Sequence, residues 1–338
     1  METREFEYYL PPHLIAQTPI EPRDASRLLI LNKSERLIEE GVFGGLTKYI
    51  SSGDVLVLND SRVIPARLSG KLPSGGKVEV FLLKSVGDGF WETLVKPGKK
   101  LNPGKIILFG EIKAEIVDRT VFGGRIVKFP DDRVVDEVQE KYGFMPLPPY
   151  IKEPLLNQER YQTVFAEKNG STAAPTAALH FTHRLLEELK NKGVEIVYIT
   201  LHMGLTSFRP IKEDLIEEHK MEKEYYSVPI TTAHKIKEAR EKGNKIFACG
   251  TDAVRTLETT ALSDRTVQAG EGFSELFITP GYQFKVVDAL ITNLHLPKSS
   301  HLVLVSAFAG RDFVFKAYDY AINNNFRFYS FGDVTLVI

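Results

Sequence analysis

Three segments of the chain put side chains able to move protons or hold anions where an apolar strand or a run of small residues turns into a helix. The first is Thr172-Ala-Ala-Pro-Thr-Ala-Ala-Leu-His-Phe-Thr-His-Arg-Leu-Leu186. Pro175 suits a first helical turn, where its missing N–H costs nothing, and Thr172 or Thr176 can cap free donors. Small side chains leave the backbone N–H groups of such a start uncovered, so a flat or anionic group can rest against them. Close packing accounts for the same alanines, because alanine favours helix anywhere. The second segment, Cys249-Gly-Thr-Asp-Ala-Val-Arg-Thr-Leu-Glu258, leaves a strand through Gly250 and enters a helix at Thr251 or Asp252. Its Arg255 and Glu258, three apart, fit a surface ion pair as well as a ligand site. The third, Thr292-Asn-Leu-His-Leu-Pro-Lys-Ser-Ser-His301, crowds hydrogen-bonding side chains at the end of an apolar strand, a density that folding does not need.

Other candidates are more ambiguous. His202 and Arg209 flank a glycine turn after a buried strand, and a lone histidine in such a place is most often structural. Asp60 and Arg62 follow the strand Val57–Asn59 and fit either a salt bridge or a ligand clamp. Lys99 and Lys100 sit in a basic loop able to touch phosphates. The glycine fingerprint of dinucleotide sites and the Gly-Lys-Ser/Thr of phosphate loops are both missing, and Gly270-Glu-Gly-Phe-Ser-Glu275 opens no helix. His180 and His183 lie three apart, but no HExxH or paired-cysteine spacing accompanies them, so no metal is expected.

Two textures must position these residues. From Asp54 to Phe129, strand-like runs alternate with glycine and proline: Val55–Leu58, Lys77–Lys84, Trp91–Val95, Lys105–Phe109, Ile112–Asp118, Thr120–Phe122 and Arg125–Phe129. Gly123-Gly124 reads as a hairpin turn, and such short strands without helices suggest a small antiparallel barrel. Asp131-Asp132 caps a short helix that Gly143 ends, and Met145–Tyr150 is a proline-rich linker. Beyond it helices and strands alternate: a helix over Pro175–Lys192, a strand over Val194–Leu201, a helix over Thr232–Lys242, a strand over Lys245–Cys249, a helix over Asp252–Ala261, a strand over Ala289–Thr292 and a helix over Ser299–Ala309. The expected fold is α/β, a mixed-sheet α/β/α layered domain (1–62 and 151–338) with a smaller inserted antiparallel β-barrel domain (63–150).

Composition narrows the class. The 338 residues are 43% hydrophobic and 26% charged, ordinary for a globular protein. No apolar run approaches the length of a membrane span, and Met1-Glu-Thr-Arg-Glu5 is too charged for a secretory signal, so a cytoplasmic location is expected. The single cysteine, Cys249, excludes an internal disulfide. A net charge of −1 means that any nucleic-acid partner must find a local basic face.

Taken together, these segments resemble the S-adenosylmethionine:tRNA ribosyltransferase-isomerase family of queuosine biosynthesis. Phe6-Glu-Tyr-Tyr-Leu-Pro11, Leu14-Ile-Ala-Gln-Thr-Pro19, Asn59-Asp-Ser-Arg-Val-Ile-Pro-Ala-Arg67, Pro146-Leu-Pro-Pro-Tyr150, Arg160-Tyr-Gln-Thr163, Ala173-Ala-Pro-Thr-Ala177 with Leu179-His-Phe181, Thr292-Asn-Leu-His-Leu-Pro-Lys-Ser299 and Phe331-Gly-Asp333 carry the likeness in order along nearly the whole chain. The chain departs from the family's usual residues at Ala178 and Leu205-Thr206, where glycines are customary, at Glu222-Lys223 in place of His-Ser, and at Ser61 and Asp252 in place of threonine.

The resemblance implies transfer and isomerisation of the ribosyl moiety of S-adenosylmethionine onto the 7-aminomethyl-7-deazaguanine base of a tRNA anticodon. Epoxyqueuosine forms, adenine and methionine leave, and no cofactor is needed, because S-adenosylmethionine is consumed as a substrate. Such chemistry needs a base for a proton next to the sulfonium, an acid for departing adenine and donors for the methionine carboxylate. His180, His202 and His295 are the candidates for base or acid. The substrate pocket is expected among Pro175, Thr176, Gly250, Thr251, Arg255, Asn293, Lys298 and Ser299, with Arg255 or Lys298 on the carboxylate. Asp60, Arg62, Arg67, Lys99, Lys100 and Arg209 are the expected contacts to the anticodon loop, whose unstacked bases suit a buried pocket. A monomer is expected. Two rivals stand beside this reading, another S-adenosylmethionine-dependent RNA-modifying transferase and a non-catalytic RNA-binding protein.

Overall fold

A computed structural model describes residues 1–121, 123–204 and 210–338. They divide into two compact units: Met1–Arg62 with Pro148–Lys168 and Ala174–Ile338, and Val63–Leu147 with Asn169–Ala173.

The first unit is built on a nine-stranded sheet in the order Gly270–Ser274, Glu224–Val228, Glu195–Leu201, Val55–Asn59, Ile246–Cys249, Ala289–Asn293, Val334–Val337, Arg27–Asn32 and Leu37–Val42. Four neighbours in the middle, from Glu195–Leu201 to Ala289–Asn293, run parallel. Both flanks are antiparallel or mixed, so the sheet is mixed as expected. Val55–Asn59, Ile246–Cys249 and Ala289–Asn293 are buried at every position, which is why they read as unbroken apolar runs. Because these strands are parallel, Asn59, Cys249 and Asn293 all emerge at one edge of the sheet, where open α/β sheets bind ligands. Leu56, Leu58, Phe181, Leu185, Leu189, Phe247 and Ile291 join one core cluster beneath it.

Pro175 does not open one long helix. Thr176–His180 is a 3-10 turn, Phe181 is extended, and a new helix, His183–Asn191, starts after Thr182, whose side chain accepts a bond from the Leu185 N–H. Local capping by threonine outcompetes the continuous apolar periodicity.

The second unit is a closed antiparallel barrel of six strands, in the order Arg67–Lys71, Lys77–Gly87, Phe90–Lys96, Arg125–Lys128, Ile112–Arg119 and Ile106–Phe109, with the last returning to the first. Gly70 permits the closure, since a Cβ there would stand 2.8 Å from Ile107 Cγ2 and 2.9 Å from the Phe109 ring. Ile112–Arg119 and Arg125–Lys128 form the expected hairpin. Thr120 and Val121 belong to its turn and not to a separate strand, while Phe122 lies outside the described residues. Asp131 caps the helix Asp132–Tyr142, accepting from the Val134 N–H at 2.9 Å. No helix among the described residues is long and apolar enough to cross a membrane.

Candidate functional site

All three strand-to-helix corners meet in one cleft of the first unit. Ala174, Thr176 and Ala177 line one wall; Gly250, Thr251 and Asp252 a second; Thr292 to Leu296 and Ser299 a third. Tyr150, Met203, His301, Tyr329 and Ser330 complete it. The cleft holds about 550 Å³ of empty space, part of it open to solvent. Thr176 Oγ1 donates to Asn293 Oδ1 at 2.7 Å, which ties the small-residue wall to the third corner. Asn293 Nδ2 in turn donates to the Tyr329 carbonyl at 3.3 Å.

Each corner forms for local reasons. Gly250 has φ of 95°, and a Cβ there would stand 1.9 Å from Asp252 Oδ1, so only glycine lets the chain turn into the helix Thr251–Thr259 with that carboxylate folded beside it. Ser299 caps the helix Ser300–Ala309: its Oγ accepts from the Leu302 N–H at 3.2 Å and donates to the Leu296 carbonyl at 2.8 Å.

His295 is the most firmly held of the expected histidines. Its N–H donates to the Tyr318 hydroxyl at 2.9 Å, its carbonyl accepts from the Tyr8 hydroxyl, and Thr292 Oγ1 lies 2.8 Å from Nε2. The His301 ring stands 5.2 Å away, centre to centre. Burial holds His295 well below the ordinary histidine range, and it pushes His301 down to about 4, assisted by the nearby Arg255 charge. Both imidazoles are therefore neutral at physiological pH and can accept protons.

The other two histidines lie elsewhere. His180 is 4% exposed and lines a separate small cavity with Pro19, Ile20, Arg160, Leu179, Ser330 and Phe331. Burial lowers its pKa to about 3, and its ring packs 5.5 Å from that of Phe43. His202 does not line the cleft: its Nδ1 is 3.2 Å from Ser61 Oγ and its ring stacks on Tyr225.

The two cations expected to face a carboxylate are also engaged outside the lining. Arg255 and Glu224 form an ion pair with each side chain 5% exposed, and Arg255 Nε donates to the Leu276 carbonyl. Glu258, three residues on, is not Arg255's partner; it accepts from the N–H groups of Lys285, Val286 and Val287. Lys298 Nζ is 3.2 Å from Glu7 Oε1 and borders a different surface cavity with Glu2, Thr3 and Arg4. Pro175 precedes the 3-10 turn without lining the cleft.

Of the residues expected to meet tRNA, Asp60 is buried and its Oδ1 accepts from Thr200 Oγ1 at 2.6 Å. Arg62 Nη2 donates to Glu159 Oε1 at 2.6 Å. In the barrel, Arg67 is 3.8 Å from Glu79, and Lys99 and Lys100 are exposed on the turn Gly98–Lys100. Arg209 lies outside the described residues. Among those residues no group of three or more His, Cys, Asp or Glu side chains is placed to hold a metal.

The chain matches the family model described as "Queuosine biosynthesis protein" over residues 3–337. It is 51% identical over 341 residues to the S-adenosylmethionine:tRNA ribosyltransferase-isomerase of Halothermothrix orenii, with 100% of both chains covered. It is equally similar to the protein of that name from a Thermoanaerobacter species, again 51% identical with both chains covered in full. A crystal structure of S-adenosylmethionine tRNA ribosyltransferase from Thermotoga maritima matches with 40% identity and a TM-score of 0.57, covering 99% of this chain and 100% of that one.

Proposed function

The chain belongs to the queuosine biosynthesis protein family, and on that premise we propose that the cleft between the Thr176, Gly250 and Asn293 corners is where it binds and opens S-adenosylmethionine. The enzyme is an S-adenosylmethionine:tRNA ribosyltransferase-isomerase. It moves and isomerises the ribosyl moiety onto the 7-aminomethyl-7-deazaguanine base of a tRNA anticodon, releasing adenine and methionine and leaving epoxyqueuosine. The observation that carries the site is the convergence of three polar corners at the carboxyl edge of parallel strands, with two neutral histidines in the wall.

His295 accepts the proton next to the sulfonium, where the positive sulfur already acidifies the C–H. The imidazolium so formed returns that proton as adenine departs, directly or handed on through His301 beside it. Thr251 and Asn293 supply hydrogen bonds to polar groups of the substrate, and Ser299 holds the third corner in place through its cap. S-adenosylmethionine is consumed, and no further cofactor takes part. For tRNA, Arg67, Lys99 and Lys100 on the barrel and Arg62 on the larger unit contact phosphates, so affinity falls as salt is added. The enzyme works in the cytoplasm as a monomer.

Adenine release by His295→Ala and His301→Ala tests the site. We expect at least one to be slowed by roughly a hundredfold or more, the usual scale of proton-transfer catalysis. Near-normal release from both would remove the pair from the mechanism. Formation of S-adenosylhomocysteine in place of adenine and methionine would make the enzyme a methyltransferase.

A further inference from the structure

Among the described residues that line the cleft, Asp252 alone carries a carboxyl group, and none is a lysine or arginine. Asp252 is 5% exposed, in the first turn of the helix Thr251–Thr259. Its Oδ2 accepts from Asn59 Nδ2 at 2.6 Å, and Asn59 is held by the Leu201 carbonyl and by the N–H groups of Ser61 and Leu201. The bare Cα of Gly250 makes room for Oδ1. The charged groups around the carboxylate do not neutralise it: Arg255 is paired with Glu224, His295 and His301 are neutral, and Cys249 is a buried thiol pushed toward its protonated form. Burial, with Glu224's charge adding to it, raises the Asp252 pKa to about 6, so at neutral pH the group is mostly ionised.

An ionised carboxylate kept in a half-closed cleft without a cation is costly unless the ligand brings the cation. We infer that Asp252, a carboxylate where the family usually has threonine, is this chain's own counter-charge for a cationic group of S-adenosylmethionine, the sulfonium or the ammonium, and strengthens its binding. The inference rests on the cleft being the S-adenosylmethionine site.

Calorimetric titration of the full chain separates the possibilities with three ligands: S-adenosylmethionine, which carries sulfonium and ammonium; S-adenosylhomocysteine, which keeps only the ammonium; and methylthioadenosine, which has neither. We expect Asp252→Asn to weaken S-adenosylmethionine by roughly tenfold or more, the scale of one charge-assisted contact, and to leave methylthioadenosine within about twofold. Loss confined to S-adenosylmethionine assigns the sulfonium, and loss shared with S-adenosylhomocysteine assigns the ammonium. Equal changes for all three ligands, or none, would overturn the inference. The wild-type protein gives the same answer without a substitution: its preference for S-adenosylmethionine over methylthioadenosine shrinks from pH 7.5 to pH 5 as the carboxylate is protonated. A preference unchanged between these pH values also counts against Asp252. Leu296→Trp, which fills the cleft from a partly exposed position, tests the underlying reading. If it leaves all three affinities intact, the cleft is the wrong site. If it abolishes binding while Asp252→Asn changes nothing, only the role of Asp252 fails.

Discussion

The barrel and the cleft both bury charge, and they treat it in opposite ways. Arg125 in the barrel is 6% exposed and donates to four carbonyls, those of Leu101, Gly123, Gly124 and Gly98, so its guanidinium is answered by the turns that join the barrel's own strands. In the cleft, Asp252 is mostly ionised with no lysine or arginine among the described lining residues, and burial holds His295 and His301 neutral, helped at His301 by the Arg255 charge. A buried ion surrounded by partners contributes to folding. A titratable group that is hydrogen-bonded but faces no opposite charge costs folding energy and stays available to a ligand.

The sharpest way to break this contrast is to remove one member of each kind. Arg125→Ala should lower unfolding stability by roughly 3 kcal/mol, since four carbonyls lose a charged donor, while S-adenosylmethionine affinity of the folded protein stays the same. His295→Ala should do the reverse, removing most of the adenine-releasing activity with a smaller loss of stability. Urea melts and single-turnover assays on both variants check this, and a stability loss at His295 as large as that at Arg125 would erase the distinction.

Acid provides the next effect. His180, at about 3, His301, at about 4, and His295 all have folded pKa values below that of an unfolded histidine. Their stabilisation is complete above the unfolded pKa of about 6.5 and is lost as pH falls toward the folded values. Each contributes a slope of roughly 1.4 kcal/mol per pH unit within that window, measurable as urea midpoints between pH 6.5 and pH 4.5. His301→Gln should flatten the curve by one such slope.

The smallest effect has the opposite sign. Asp252's folded pKa, about 6, lies above its ordinary value, so its stabilising contribution is complete below the unfolded carboxylate range and is lost as pH rises through about 6. At pH 7.5 Asp252→Asn should therefore raise stability, by roughly 1 to 2 kcal/mol. That is less than two pKa units would give, because an amide accepts fewer of the helix-start N–H bonds. At pH 4 the gain should vanish. A variant less stable than wild type at pH 7.5 would show that the carboxylate contributes to the fold.

Much of the site was legible because its signals are local. An apolar strand followed by glycine, or by a dense polar run, marks a corner whatever the rest of the chain does, so Gly250, Thr251, Asn293 and Ser299 could be picked out one segment at a time. His301 closes the third segment but was not among the candidates, because two residues past the capping Ser299 it reads as part of the helix. Tyr150 escaped as the end of a proline linker, and Tyr329 and Ser330 precede a strand with no corner of their own. The Arg255 ion pair was hidden for a related reason: its partner Glu224 is 31 residues away in a strand whose alternation, Glu-Tyr-Tyr-Ser-Val, resembles a solvated face. The barrel's hairpins were visible through their glycines, whereas Arg67–Lys71 was not, because a short strand interrupted by Gly70 carries little period-two signal.

The place of Val334–Val337 in the large sheet sets an order on the ribosome. This strand lies between Ala289–Asn293 and Arg27–Asn32, and the Arg27 N–H is received by Asp333, 306 positions later. Until the last strand is made, Arg27–Val42 has only its own hairpin for company, and an isolated hairpin is marginal in water. The barrel meanwhile can close from neighbours already synthesised. A nascent chain paused before Phe331 should thus hold a protease-resistant barrel and a protease-sensitive hairpin over Arg27–Val42, with its apolar Leu28 to Leu31 a natural place for a chaperone to hold until Val334–Val337 is made.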